Sequence, residues 1–293
     1  LTDGTVDAAN LNTIDGKTAG TFTVSSTAVT GTLSAANTAY ASSGISGLGN
    51  ETVTLSDSGS VAAADLNTLD TATSGAVAAA GVTTLTGTAA ACNIAYASNG
   101  ITGLGNEAVT LSDSTLDVTV LATLNNHTTG TIDATSVQTF SGYGGDINNM
   151  YESSGVSNIG NEDLTLSNKT LSSTVLNNLN GNTSGVVNAS SVTTLTGSAS
   201  TLVTSYAKDG LGEISGLGNE ALTLTDSSVA SSDLNTLSSE TTGTINANSV
   251  TTITGALTAT NSAYVASNII GLGNEAVTLS DTGSVAAADL NTL

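Results

Sequence analysis

The sequence has few of the residues that enzymes use to bind substrates and move protons. It contains no proline, tryptophan or arginine, and only one cysteine, one histidine and three lysines among 293 residues. Cys92 alone cannot form an intrachain disulfide, and His127 alone cannot build a histidine-based zinc cluster or a catalytic triad. We expect Cys92 to be a small buried residue and His127 to occupy an exposed loop. The composition favours a protein that is not an enzyme and has no catalytic or cofactor-binding residues.

Long hydrophobic runs are also missing. No segment approaches the ~18 apolar residues that a membrane-spanning helix needs, which predicts no membrane insertion. Residues 1–20 have neither a basic start nor an apolar core, so they do not resemble a signal peptide. Hydrophobic residues nevertheless make up 39% of the chain, which argues against an acidic disordered protein.

Positive charge is scarce as well. The 24 acidic residues outnumber the lysines so far that the formal net charge is −21, and the acids are spread along the whole chain. Such a protein should not bind nucleic acid, because that affinity depends on cations that contact phosphates. The distribution favours a solvated acidic surface that keeps the protein soluble, with binding of divalent cations as the alternative.

The chain is instead rich in internal repeats. Variants of Leu-Asn-Thr-Leu begin at Leu11, Leu66, Leu121, Leu176, Leu234 and Leu290, with spacings of 55, 55, 55, 58 and 56 residues. The extra residues of the fourth repeat fall at 208–213, where we expect a surface loop. We therefore predict one continuous solenoid over 1–293, made of a partial repeat 1–10, five repeats at 11–65, 66–120, 121–175, 176–233 and 234–289, and the start of a further repeat at 290–293.

Each repeat contains two related halves of about 27 residues. Both halves have a short β-branched strand, a polar turn, an Ala-rich segment that contains Asn, a Gly and a second short strand. Ala62, Leu66 and Leu69 would share one face of a short helix that Ser60 caps. In the other half, Thr88 would cap a helix whose buried face carries Ala91, Ile94 and Ala95.

These patterns predict an α/β fold, an elongated solenoid with parallel strands and one short helix per coil. Helices of about ten residues are too short to be stable alone, so successive coils must share a continuous core. Parallel strands lie ~4.8 Å apart, whereas helix axes need 8–10 Å, so we expect the stack to bend or twist. The alternative is an all-β solenoid in which the Ala-rich segments are turns.

Several polar residues recur at equivalent positions. The recurring asparagines would form an inward ladder, or else lie on helix surfaces. They are Asn12, Asn67, Asn177, Asn235 and Asn291 in one half, and Asn37, Asn93, Asn148 and Asn261 in the other. A tyrosine lies late in each Ala-rich segment of one half, where we expect it to cover the edge of the core with its hydroxyl pointing outward. The alternative for these tyrosines is a glycan-stacking platform. They are Tyr40, Tyr96, Tyr151, Tyr206 and Tyr264.

Carboxylates recur too, and they are the only candidate metal ligands. Calcium prefers several oxygens from carboxylates and turn carbonyls, which aligned turns could offer. The sequence lacks the Asp-x-Asp-x-Asp-Gly loop and the Gly-Gly-x-Gly-x-Asp nonapeptide, so the motifs specific to calcium are absent. The candidate residues are Glu51, Asp57, Glu107, Asp113, Glu162, Glu220, Asp226, Glu275 and Asp281, with Asn168 interrupting the Asp series.

The blocks Ala-Asp-Leu-Asn-Thr-Leu, Ser-Val-Thr-Thr-Leu-Thr-Gly and Gly-Leu-Gly-Asn-Glu-Ala-Val-Thr-Leu-Ser-Asp resemble a known kind of tandem array. Such arrays occur in the giant acidic cell-surface proteins of marine cyanobacteria, of the type linked to swimming motility and surface filaments. The resemblance covers the whole chain in composition and repeat style. It implies an extracellular or cell-surface location and transfers no catalytic or binding residue.

Repeat architecture and composition together predict a structural, non-enzymatic segment of a long surface protein that forms a filament, a shaft or a surface layer. The alternative is an adhesion module that binds calcium or glycan. We expect self-association with further repeats or with identical chains, because exposed strand edges are templates for more strands. Divalent cations are possible additional partners, since they would bridge the acidic faces.

Overall fold

The computed structural model describes all residues, 1–293, and has an α/β repeat fold of short helices alternating with parallel strands. The chain divides into two compact units: Leu1–Val137 with Ser153–Ile159, and Gln138–Glu152 with Gly160–Leu293. The helices rule out the all-β alternative. None of the eleven helices has the length and hydrophobicity that a membrane span requires.

The first unit contains five helices. They are α1 (Ala8–Asp15), α2 (Leu33–Ala41), α3 (Ala63–Ala72), α4 (Ala89–Ala97) and α5 (Val118–Asn125). Its strands are β1 (Thr5–Asp7), β2 (Phe22–Thr23), β3 (Ala28–Gly31), β4 (Ile45–Ser46), β5 (Thr52–Leu55), β6 (Ser60–Ala62), β7 (Val77–Ala78), β8 (Thr84–Gly87), β9 (Ile101–Thr102), β10 (Ala108–Leu111), β11 (Thr115–Asp117), β12 (Ile132–Asp133) and, after one strand of the other unit, β14 (Val156–Ser157).

The second unit contains the other six helices. They are α6 (Gly144–Tyr151), α7 (Ser173–Asn182), α8 (Ala199–Gly210), α9 (Ser231–Glu240), α10 (Leu257–Val265) and α11 (Ala287–Leu290). Its strands are β13 (Thr139–Gly142), β15 (Asp163–Leu166), β16 (Thr170–Ser172), β17 (Val187–Asn188), β18 (Thr194–Gly197), β19 (Ile214–Ser215), β20 (Ala221–Leu224), β21 (Ser228–Ala230), β22 (Ile245–Asn246), β23 (Thr252–Gly255), β24 (Ile269–Ile270) and β25 (Ala276–Leu279).

Several short sheets replace the single ladder that a simple solenoid would have. In the first unit the main sheets have the orders β1-β3-β5-β7-β9 and β6-β8-β10-β12-β14, and β2 pairs with β4. In the second unit the orders are β13-β15-β17-β19, β16-β18-β20-β22-β24 and β21-β23-β25. The pairing is parallel, as Val29 with Val53 and Leu195 with Leu222 illustrate.

The strand register explains why a new sheet starts every second coil. Paired residues such as Val53 and Val77 are 24 positions apart, whereas equivalent helices α1 and α3 begin 55 residues apart over two coils. Each sheet therefore shifts by three to four residues per coil relative to the helices. The first strand of a sheet directly precedes a helix, as β6 precedes α3. The last strand of a sheet follows a helix, as β9 follows α4. This stagger accommodates strands that need ~4.8 Å and helices that need 8–10 Å.

The core is built from small and medium apolar side chains on both kinds of element. In α3 the buried residues are Ala63, Leu66 and Leu69, which lie at every third position. Strands contribute alternate residues such as Val53 and Leu55. Such a pattern buries one helix stripe against one sheet face, which is the only way that helices this short become stable.

Four local expectations need correction, and one is confirmed. Ser60 lies in β6 rather than capping α3, because the strand continues directly into the helix. Ile94 is 61% exposed, since the buried face of α4 instead carries Ala89, Cys92 and Ala95. Thr88 does cap α4 and accepts from the N–H of Ala91.

The remaining two corrections concern loops. Residues 208–210 of the expected loop extend α8 to 12 residues, and Lys208 Nζ forms a 2.7 Å ion pair with Glu213 Oε2. This ion pair holds the pKa of Glu213 below its ordinary value. His127 lies in a turn as expected but is only partly exposed, because its ring stacks on Tyr96 with 5.8 Å between ring centroids.

Candidate functional site

The recurring tyrosines and glutamates meet in pairs. Tyr96 Oη donates to Glu107 Oε2 at 3.1 Å, and the same bond recurs at every equivalent position with lengths of 2.8–3.1 Å. The tyrosine hydroxyl therefore points inward to a carboxylate, and the expectation of an outward hydroxyl is wrong. The pairs are Tyr40–Glu51, Tyr96–Glu107, Tyr151–Glu162, Tyr206–Glu220 and Tyr264–Glu275.

The turn before each glutamate supplies further donors. Glu107 Oε2 also accepts from the N–H groups of Gly105 at 2.8 Å and Asn106 at 3.2 Å. Gly105 has φ +141°, a conformation that glycine adopts without strain, so the Gly-x-Gly-Asn-Glu block folds back onto its own carboxylate. In the third copy Asn158 replaces the first glycine at φ 60°, which asparagine tolerates best among the other residues.

A threonine and a glycine from the next coil complete the contact. Thr128 Oγ1 donates to the backbone carbonyl of Glu107 at 2.6 Å and accepts from the N–H of Gly130 at 2.9 Å. Thr73, Thr183 and Thr241 repeat this arrangement on Glu51, Glu162 and Glu220. We call each set of Tyr, Glu, Thr and Gly a coil joint; the joint at Glu107 comprises Tyr96, Glu107, Thr128 and Gly130.

Four of the glutamates are completely enclosed. Glu51, Glu107, Glu162 and Glu220 are at most 1% exposed, and the Oε1 atom of each receives no hydrogen bond from the protein. Each carboxylate therefore relies on donors to a single oxygen. A buried charge is tolerated only where hydrogen bonds compensate for lost water, so the joint depends on these donors.

The joints change the pKa of the tyrosines that belong to them. Burial first, and then the neighbouring carboxylate, raise the pKa of Tyr40, Tyr96, Tyr151 and Tyr206 well above the ordinary value of 10.0, and that of Tyr264 to about 12. At Glu275, burial is outweighed by hydrogen bonds from backbone N–H groups and Tyr264, which together lower the pKa of the carboxyl.

We expect the protein to lose stability above pH 10. A raised tyrosine pKa means that the folded state holds the proton more tightly than the unfolded state. The resulting stabilisation is complete below pH 10 and declines as the pH rises above it. Absorbance at 295 nm should therefore show five tyrosines that stay protonated beyond pH 10 in the folded protein and ionise near pH 10 in urea. Ionisation of all six tyrosines near pH 10 without unfolding would contradict the joint geometry.

The second carboxylate series joins coils in a different way. Asp113 Oδ2 accepts from the N–H of Ala89, the first residue of α4, at 2.8 Å. Asp57, Asp226 and Asp281 accept in the same way from Leu33, Ala199 and Leu257. Asn168 only appears to interrupt the series, because its Oδ1 accepts from the N–H of Gly144 at 2.7 Å. These side chains accept a hydrogen bond from an N–H group that has no partner within the helix. They also place a negative charge, or the oxygen end of an amide dipole, at the helix N-terminus, where it is favourable.

The presence of Asn168 allows a matched pair of variants. Asp113→Asn should leave stability nearly unchanged, because the amide oxygen can still accept from Ala89. Asp113→Ala should lower the free energy of unfolding by about 1–2 kcal/mol, the usual effect of losing a helix cap. Urea denaturation of the two variants beside the wild type provides the measurement. Equal destabilisation by both substitutions would mean that the charge, rather than the acceptor, is what matters.

No group of three or more His, Cys, Asp or Glu residues in the chain is placed to hold a metal ion. The candidate ligands Glu51, Glu107, Glu162, Glu220 and Glu275 bind tyrosines and turn N–H groups, and Asp57, Asp113, Asp226 and Asp281 bind helix starts. The geometry thus separates the two series into distinct contacts. Calcium binding by these residues stays the untested alternative.

Comparison with known proteins adds no further guide to the site. No protein-family model, curated protein or solved structure matches this sequence.

Seven of the recurring asparagines form neither an inward stack nor free surface groups. Asn67 Nδ2 on α3 donates to the carbonyl of Ala91 on α4 at 2.9 Å. The remaining helix-to-helix bonds of this kind run from Asn12 to Ala35, Asn37 to Asp65, Asn93 to Val120, Asn177 to Thr201, Asn235 to Ala259 and Asn261 to Asp289. Because donor and carbonyl both lie on helices, each bond ties one coil to the next.

A further set of contacts lies at the helix ends and was not anticipated from the sequence. Asp70 Oδ2 accepts from Ser98 Oγ at 2.7 Å, whereas at the equivalent place Asn180 Nδ2 donates to Glu213 Oε2 at 3.0 Å. The helix residue is the acceptor in the first pair and the donor in the second, so the hydrogen bond is kept although the two roles are exchanged. The joint threonines were missed as well, although Thr-Ser-Gly at 73–75 and 183–185 and Thr-Thr-Gly at 128–130 and 241–243 recur visibly.

Cys92 is fully buried in α4, as expected. Burial, followed by the nearby charge of Asp113, raises the pKa of its thiol to about 11. A thiol with so high a pKa stays protonated at neutral pH and is a poor nucleophile.

Proposed function

We propose that this protein is a structural, non-enzymatic repeat segment of an extracellular or cell-surface protein that builds a filament, a shaft or a surface layer. The observation that carries the proposal is the use of the recurring polar side chains. The Glu of each Asn-Glu block, the Asp six residues later, the helix Asn and the joint Thr bond to the backbone or side chains of an adjoining coil or turn. Side chains used in this way stabilise the fold.

The physical logic of the proposal is that of a one-dimensional array. Each coil contacts only its neighbours, so stability depends on the intrinsic stability of a coil and on the joints between coils. Adding repeats adds joints without requiring any new kind of contact. A surface protein that must be long can therefore extend by duplication, and the evenly spread acidic residues keep such an array soluble.

A series of chains with one to five 55-residue repeats tests this proposal. We expect the urea midpoint to rise with repeat number, most steeply between one and three repeats, because each added repeat supplies new joints. The helical circular dichroism signal per residue should also rise with repeat number. A single repeat as stable as the whole chain would show that the repeats are independent domains and would overturn the proposal.

The proposal includes self-association, because unpaired strand edges are templates for further strands. Light scattering of the intact chain should then show concentration-dependent association. A monomer at all concentrations would contradict self-association without affecting the repeat-number test.

A further inference from the structure

One groove between helices departs from the repeat pattern. Between α6 and α7 the structure has an open polar cleft of about 310 Å³. This volume is at the lower end of the range for small-molecule sites. Its wall includes the side chains of Asn148, Tyr151, Glu152, Asn177, Asn178 and Asn182.

The cleft lies where the side chain-to-backbone bond of the equivalent helix pairs is missing. Asn37 and Asn93, which are equivalent to Asn148, donate to backbone carbonyls of the following helix at 2.9 and 3.0 Å. Asn148 Nδ2 instead donates to Glu152 Oε1 at 2.7 Å, and its Oδ1 accepts from Asn182 Nδ2 at 3.3 Å. The two helices are therefore linked here by one long amide–amide bond at the surface, and not by a bond to the backbone.

The residues that line the cleft are also unusual among the repeats. Glu152 stands where the other copies have Ala41, Ala97, Ala207 and Val265. Asn178 stands where they have Thr13, Thr68, Thr123 and Thr236. Each change replaces a smaller or apolar side chain by one that can bond to several hydroxyl groups. A Cβ on Gly181, which also lines the cleft, would meet no atom within 4 Å, so open space lies beside these side chains.

An aromatic ring forms part of the same wall. In the first unit the equivalent Tyr96 is covered by His127, whose ring stacks on it with an interplanar angle of 4°. The residue equivalent to His127 in the second unit is Asn182, which bonds to Asn148. A flat ring therefore packs against the equivalent tyrosine of another repeat, and at Tyr151 the position of His127 is taken by Asn182.

We propose that the cleft between α6 and α7 binds a neutral hexopyranose unit of a saccharide. The apolar face of the sugar ring would lie along Tyr151, and its hydroxyls would pair with Asn178, Asn182 and Glu152. Amides both donate and accept, and the carboxylate accepts, so together they match hydroxyl groups. Anionic sugars are disfavoured because the cleft contains no Lys, its one charged residue is Glu152 and the net charge is −21. The site is independent of the structural role proposed above.

Side-chain amide signals in ¹H–¹⁵N spectra of the intact chain provide the test. Cellotetraose, mannotetraose and chitotetraose are titrated separately, with tetragalacturonate as the anionic comparison. We expect saturable shifts of the Asn148, Asn178 and Asn182 amides with at least one neutral tetrasaccharide, and a much weaker response to tetragalacturonate. No saturable shift with any of the three, or equal binding of tetragalacturonate, would overturn the proposal.

Matched variants locate the binding. Glu152→Ala with Asn178→Thr restores residues found in the other repeats, so the protein should fold normally and bind at least tenfold more weakly. Thr236→Asn introduces the same amide at the equivalent position of α9 and should leave binding unchanged. Unaltered binding by the double variant would place the saccharide elsewhere and overturn the assignment of this cleft.

Discussion

Replacing Glu107 by alanine is expected to lower the free energy of unfolding by about 3–5 kcal/mol, because hydrogen bonds to a charged group contribute about 1.5–3 kcal/mol each. The carboxylate accepts from Tyr96 Oη and from the N–H groups of Gly105 and Asn106, and it is only 1% exposed. Its removal leaves the Tyr96 hydroxyl and the N–H groups of Gly105 and Asn106 without this acceptor. Urea denaturation gives the overall loss, and amide exchange at Gly105 and Asn106 shows whether the loss is local.

Two further variants separate the joint from a general charge effect. Glu240, at the end of α9, is exposed, and Glu240→Ala should change stability by less than about 0.5 kcal/mol. Glu107→Gln keeps one acceptor oxygen for the same donors but places an NH₂ group where Oε1 receives no hydrogen bond. It should therefore lie between the wild type and Glu107→Ala. If all three variants behaved alike, the joint would contribute nothing particular.

The glycine of the same joint should be equally intolerant of change. A Cβ on Gly130 would overlap the carbonyl oxygen of Glu107 and lie 2.5 Å from its carbonyl carbon. Backbone atoms cannot move aside as a flexible side chain can, so we expect Gly130→Ala to cost about 3 kcal/mol or more. The reason is contact alone, since Gly130 needs no positive φ.

Gly145 is the matched control for that substitution. It lies in α6, and a Cβ there would meet nothing within 4 Å. Gly145→Ala should therefore stabilise the protein by about 0.5–1 kcal/mol, because alanine is the better helix former. Thermal unfolding followed by circular dichroism compares the two. A Gly130→Ala variant as stable as Gly145→Ala would mean that the next coil does not approach Glu107 so closely.

The α/β class, the parallel strands and the helix in each coil follow from periodicity alone. Leu66 and Leu69 lie on the buried side of α3 as their spacing predicts, and Thr88 caps α4. Periodicity predicts these features because ten coils repeat the same pattern, so a substitution in one coil does not obscure it. The staggered sheets were not foreseen, because the 24-residue register is a property of strand pairing and has no direct sequence mark.

The polar contacts were harder to predict for a physical reason. A recurring Glu or Tyr indicates that a contact recurs, but it does not indicate the partner. Tyr96 and Glu107 are 11 residues apart, and Thr128, which contacts Glu107, lies in another coil. A glutamate is usually exposed to solvent, whereas Glu107 is buried beside the turn of Gly105 and Asn106. Asn168 is informative because it replaces an Asp of the series. An amide and a carboxylate share an acceptor oxygen, so the replacement already indicates that this position accepts a hydrogen bond.

Calorimetric titration of the intact chain with calcium tests the central claim, that the recurring carboxylates act as hydrogen-bond acceptors within the fold. Raising calcium to about 10 mM exceeds the 10⁻⁴–10⁻³ M range of extracellular calcium modules. We predict no saturable heat and no shift in the thermal midpoint beyond that produced by sodium chloride of equal ionic strength. Saturable binding of several ions, reduced by one in Glu107→Gln or Asp113→Asn, would show that these carboxylates are ligands and would contradict the account.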